Sequence, residues 1–105
     1  MPLLKIEAND DSQSFFWTKY VSYHHGKLLR ALEYTEEESA DQYQKKEPNF
    51  GPKKLSMRVI DGTVQADGSQ KQTIVTKRYR YRSGVFAVRH TSEPKLKVLP
   101  AHTTN

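Results

Sequence analysis

From Lys54 onward, apolar and polar residues alternate along the chain. L-S-M-R-V-I (55–60), Q-T-I-V-T-K-R-Y-R-Y-R (72–82), V-F-A-V-R-H (85–90) and K-L-K-V-L (95–99) all follow this rhythm. A period of two puts successive side chains on opposite faces and marks a half-buried strand. Asp67-Gly68-Ser69, Ser83-Gly84 and Ser92-Glu93-Pro94 separate the runs, and such clusters turn one strand back on the next. The pattern predicts an antiparallel β-meander over about residues 54–99.

Pairing the strands sorts their side chains. A two-residue loop at Ser83-Gly84 sets Tyr81 against Phe86, Tyr79 against Val88 and Arg78 against Arg89. A three-residue loop at 67–69 sets Leu55 against Tyr81, Met57 against Tyr79 and Arg58 against Arg78. Leu55, Met57, Val59, Tyr79, Tyr81, Phe86 and Val88 then share a core face. Arg58, Arg78, Arg80, Arg82 and Arg89 share the other.

The N-terminal half is less regular. L-L-K-I-E-A (3–8) suits a short strand, and residues 9–12 are rich in turn and capping residues. In 15–23 every apolar residue is a strand former, yet Trp17, Val21, His24, Leu28 and Leu32 also fall on one helical stripe. A hairpin with 23–26 in its loop pairs Val21 with Leu28, Trp17 with Leu32 and Phe15 with Tyr34, which tips the reading toward strands. T-E-E-E-S-A-D-Q-Y-Q-K-K (35–46) reads as a helix. Thr35 and Glu38 form a capping box, acids fill the first turn and lysines the last, the order favoured by the helix dipole. E-P-N-F-G-P-K (47–53) then breaks the chain. The fold class expected is α+β: one domain over 1–105, with a meander, one helix at 35–46, an N-terminal strand or hairpin, and a tail at 100–105.

Composition narrows the setting. Hydrophobic residues make up 35% of the 105, so the core is small. There is no cysteine, which removes disulfides, thiol nucleophiles and thiolate metal sites and favours a reducing compartment. M-P-L-L-K-I-E-A-N-D-D lacks the apolar stretch of a secretory leader, and no run is long enough to span a bilayer. The expectation is a protein of the cytoplasm, or of the nucleus in a eukaryote, neither secreted nor membrane-bound.

Charge adds direction. The net charge is +5, but residues 1–47 carry six Lys/Arg against nine Asp/Glu, and 48–105 carry eleven against three. Such asymmetry points to an interaction role for the basic half. Like charges facing each other across strands repel, so a row of Arg58, Arg78 and Arg89 calls for an anion. Guanidinium binds phosphate bidentately. The reading is non-enzymatic binding of RNA or DNA through Arg58, Arg78, Arg80, Arg82 and Arg89, with Lys77 beside them. An internal anion is the alternative, with Glu33, Glu36, Glu37, Glu38 and Asp41 lying across the arginine face. A second reading is a regulatory module that binds an acidic protein surface or another copy of itself.

No other chemistry stands out. There is no cofactor fingerprint, no nucleophile elbow and no metal-ligand spacing, and His24 and His25 point to opposite faces if they lie on a strand. R-Y-R-Y-R-S-G-V-F-A-V-R-H (78–90) resembles the arginine hairpin of RelE-type ribosome-dependent endoribonuclease toxins. It departs from that family at Val85-Phe86, where Tyr-Arg is usual. The resemblance implies a small basic α+β protein in which Arg80 and Arg82 grip phosphate and an Arg or His acts as general acid–base.

Overall fold

The computed structural model describes residues 3–10 and 14–101. Eight strands form one antiparallel sheet: β1 (Leu3–Asn9), β2 (Phe15–His24), β3 (Lys27–Glu38), β4 (Gln42–Gly51), β5 (Lys54–Val64), β6 (Gln70–Arg82), β7 (Val85–Thr91) and β8 (Lys95–Leu99). Neighbours follow chain order from β1 to β7, and β8 also pairs with β6. Strand β6 is long enough to border β7 along its C-terminal part and β8 along its N-terminal part. The predicted meander is therefore present. The tail residues 102–105 lie outside the described residues, as do 11 and 12 of the predicted turn at 9–12.

The predicted helix is not. Among the described residues there is no helix at all, so the α+β class is replaced by an all-β sheet. The α+β fold implied by the toxin resemblance falls with it. Residues 35–38 end β3, opposite Trp17, Phe16 and Phe15 of β2, and 42–46 begin β4. Between them the Ser39 hydroxyl accepts the Gln42 backbone N–H, and the Ser39 N–H donates to the Gln42 carbonyl at 2.7 Å. The physical reason is burial. A helix over 35–46 offers only Ala40 and Tyr43 to a core, and short helices depend on such packing. A strand there completes the ladder of an aromatic-rich neighbour. The expected break at 47–53 lies mostly within β4. Pro48 is tolerated because β4 pairs with β3 only at Gln44 and Tyr43, leaving its far edge without a strand beyond them.

The hairpin reading of residues 15–34 is right, but the register is not. The loop is the two-residue His25-Gly26, both with positive φ (49° and 77°), a turn whose twist matches that of the strands. Val21 therefore meets Arg30, Trp17 meets Thr35 and Phe15 meets Glu37. A bulge at Ala31 keeps Tyr20 opposite Leu32, with both buried. Between β5 and β6 the loop is 66–68, one residue earlier than expected. Gly68 (φ 88°) takes the last loop position, where a left-handed residue follows a type I turn, and Gln65 N–H donates to the Ser69 carbonyl at 2.7 Å. The pairing slips by two residues: Leu55 meets Tyr79, Met57 meets Lys77 and Arg58 meets Thr76. An even slip leaves every side chain on its predicted face.

The sheet curls until β7 lies over β3, and its inner face holds the core. Tyr20, Leu32, Leu55, Met57, Val59 and Phe86 are buried there, with Tyr79 and Tyr81 packed against them. Aromatic edges bridge the strands: Tyr20 to Phe50 at 5.0 Å, Phe50 to Phe86 at 5.8 Å, and Tyr81 to Phe86 at 5.0 Å between centroids. Val88, expected in this core, is instead exposed. The radius of gyration is 16.5 Å, against about 13 Å for a compact chain of ~100 residues. The core fills one part of an elongated sheet and leaves the rest open.

Candidate nucleic-acid interface

Strand β6 carries Arg78, Arg80 and Arg82 on its outer face, all exposed. Alternate strand residues stand about 6.7 Å apart, so the three guanidiniums form a regular line. The line ends at the tight turn Ser83-Gly84, whose positive φ angles (55° and 86°) give the same two-residue geometry as His25-Gly26. That turn sets Arg82 against Val85 and Arg80 against Ala87, small apolar neighbours that leave the cations accessible. On the other side Lys54 of β5 stands opposite Arg80, and Ser56 opposite Arg78.

The predicted row of Arg58, Arg78 and Arg89 is not formed. The slipped register places Thr76 opposite Arg58. A bulge between β6 and β7 leaves His90 opposite Arg78 and Val88 opposite Tyr79, so Arg89 becomes the extra, exposed residue. Arg58 has its own carboxylate, with Glu47 at 3.4 Å from its cross-strand position on β4. Lys77 lies on the inner face opposite Met57 and is half-buried, away from the arginines. The structure thus groups Arg78, Arg80 and Arg82, keeps Arg58 on the same face but paired, and separates Arg89 and Lys77 from the line. Lys54 belongs to the group and was overlooked, although it alternates with Ser56 and Arg58 in K-L-S-M-R.

The internal anion is elsewhere. Glu33 accepts Trp17 Nε1–H at 2.8 Å and an Arg30 guanidinium N–H at 2.9 Å, and these bonds hold its carboxyl below the ordinary range. Glu36 accepts the Lys46 backbone N–H at 2.8 Å. Glu37 lies level with Gln44 and Asp61, seven residues along β5 from Lys54, or about 23 Å. That exceeds the screening length of about 10 Å at 0.1 M salt. Among the described residues the ion pairs join Lys5 to Glu7, Arg30 to Glu33 and Arg58 to Glu47, and none engages Lys54, Arg78, Arg80 or Arg82.

Other sites can be placed as well. His24 and His25 do not diverge: the left-handed turn brings their rings edge to face at 4.1 Å. Among the described residues no group of three His, Cys, Asp or Glu is placed to hold a metal ion, and no helix is long and apolar enough to cross a membrane. Comparison with protein-family models, curated proteins and solved structures finds no match.

Proposed function

We propose that the protein binds the phosphate backbone of nucleic acid, RNA or DNA, without cleaving it, through Arg78, Arg80, Arg82 and Lys54. The observation that carries this reading is an exposed line of cations on one sheet face, with no carboxylate of the described residues in ion-pair range. Such a line is poorly served by solvent alone, because a long array of like charges repels itself. A phosphate chain supplies repeated acceptors for it, and backbone neutralisation dominates nucleic-acid affinity. Arg58, tied to Glu47, and the bulged Arg89 serve as secondary contacts at the edges. The test is fluorescence anisotropy with labelled single- and double-stranded RNA and DNA at two salt concentrations. Binding that weakens steeply with salt and disappears when Arg78, Arg80 and Arg82 are all changed to Gln is the expected result. Absence of binding at low salt ends the reading.

One observation favours self-association as a second reading. Among the described residues β1 pairs only with β2, so its outer edge is open to another strand. Leu4, Tyr23 and Leu28 are exposed on the outer face of β1–β3. Antiparallel pairing of two β1 strands centred on Ile6 sets Lys5 of each copy against Glu7 of the other, a self-complementary two-fold arrangement. Sedimentation equilibrium decides it: dimers that Lys5→Glu dissociates support the arrangement, and a monomer at all concentrations rejects it.

A further inference from the structure

The inner face of the sheet is not apolar throughout. Beyond the pairs Glu38–Tyr43 and Glu37–Gln44 next to their turn, β3 and β4 part company, and the gap opens a cleft of about 490 Å³ between the edge of β3 and the faces of β5 and β6. Its floor is Met57 and Val59, both buried. Lys46 stands beside Val59 on β4, and Lys77 beside Met57 on β6. Tyr34 and Tyr79 form the walls, and Arg30 and Glu33 lie at the rim. The Lys46 ammonium sits 6.0 Å from the centre of the Tyr34 ring.

Two lysines in a half-buried cleft favour a counter-charge in direct contact, and no carboxylate of the described residues stands within ion-pair distance of either. Glu33 is occupied by Arg30 and Trp17, Glu36 accepts the backbone N–H of Lys46, and Glu36, Asp61 and Glu37 favour its charge only from a distance. Burial first, and then repulsion from Lys77, still push the Lys46 amine below its ordinary value. A protein pays for such a site in stability, and a bound anion relieves it. The volume falls within the range of small-molecule pockets, about 300–1,000 Å³, which combine an apolar lining with a few placed polar groups.

We propose that this cleft is a binding site for a small organic carboxylate, its head held between Lys46 and Lys77 and its apolar or aromatic body resting on Met57 and Val59. Tyr34 and Tyr79 flank the body, the Tyr34 hydroxyl being engaged with Tyr20 and Thr18. Because the cleft lies on the inner face, it is independent of the outer arginine line, and both can be occupied together.

The experiment uses 2-naphthoate as the probe and 2-naphthamide as its neutral counterpart, with calorimetry for affinity and amide chemical shifts for location. Saturable binding of one 2-naphthoate, with shifts at Met57, Val59 and Lys77, is expected. Loss of one charged hydrogen bond weakens binding by about tenfold or more. That is the drop expected for 2-naphthamide, and also for 2-naphthoate on Lys77→Met, which keeps an apolar stem in place. The Arg78, Arg80 and Arg82 triple glutamine variant should bind 2-naphthoate as the parent does. Failure to saturate, equal affinity for the two probes, unaltered affinity in a folded Lys77→Met variant, or shifts confined to the arginine line each overturns the proposal.

Discussion

The Ser22 hydroxyl donates a hydrogen bond of 2.6 Å to the carbonyl oxygen of Gly84, across 62 positions of the chain. Ser22 is 1% exposed, so the bond is dry, and it fastens the β6–β7 hairpin to the inner face of β2. A buried carbonyl deprived of its donor costs about 1–3 kcal/mol. Ser22→Ala should lower unfolding stability by that amount in urea titration. An effect within error would mean that the hairpin is held by Phe86 and its aromatic neighbours alone. A side chain at Gly84 would be strained, since its φ is +86° and an added Cβ would displace Leu29 Cδ1 and crowd His24 Cβ at 3.1 Å and Ser22 Oγ at 3.2 Å.

The arginine line makes a quantitative claim. Each phosphate contact steepens the fall of log affinity against log salt by about 0.7–0.9. Changing Arg78, Arg80 and Arg82 to Gln should reduce the measured slope by about 2–3. Arg58→Gln removes a cation already matched by Glu47, and its slope should change by less than one such step. Equal slopes for parent and triple variant would place the nucleic acid on some other surface.

Much of this arrangement was legible in the sequence, and the errors have distinct physical origins. The strands of 54–99 and their two faces follow from period-two alternation, which a slip of two residues cannot disturb. Register depends on finer signals. Gly68 fits the middle or the end of a three-residue loop, and only the hydrogen bond from Gln65 to Ser69 decides. The bulges at Ala31 and Arg89 leave no mark in the residue pattern, yet the second one takes Arg89 out of the row that the two-residue slip had already cost Arg58. The segment 35–46 misled because its capping and charge order are local, whereas the need of β2 for a partner is not. The lysine cleft was invisible because it depends on where β3 leaves β4.

Ser83 occupies the first position of a turn that requires left-handed backbone at both central residues, and its φ is 55°. Asparagine enters that region more readily than serine does, and Asn-Gly is the preferred pair for this turn. Ser83→Asn should relieve part of the strain of about 1–3 kcal/mol that a non-glycine residue carries in left-handed backbone, and so stabilise the protein. Thermal unfolding checks the sign, and nucleic-acid affinity should stay unchanged because Arg82 keeps its place. A destabilised variant would show that the serine has a role beyond the turn.

Alkaline pH should separate the two kinds of half-buried group in the cleft. Burial, with Tyr20 adding to it, raises the Tyr34 hydroxyl well above its ordinary 10.0. The folded protein thus keeps a proton that the unfolded chain gives up. The stability this contributes is complete below about pH 10 and is lost as pH climbs toward the folded value. Tyr79 is raised in the same direction, by burial alone. Lys46 behaves in the opposite way. Its amine is lowered from 10.5, so its charged form weakens the fold at neutral pH, and that penalty lifts as pH rises through the lowered value toward the ordinary one. Urea midpoints followed from about pH 8 to pH 12 should therefore fall less steeply in Tyr34→Phe than in the parent, and more steeply in Lys46→Met. Any constant packing change from either substitution shifts a whole curve and leaves its slope alone. Parallel curves for all three proteins would mean that both groups are as well solvated in the folded protein as in the unfolded chain.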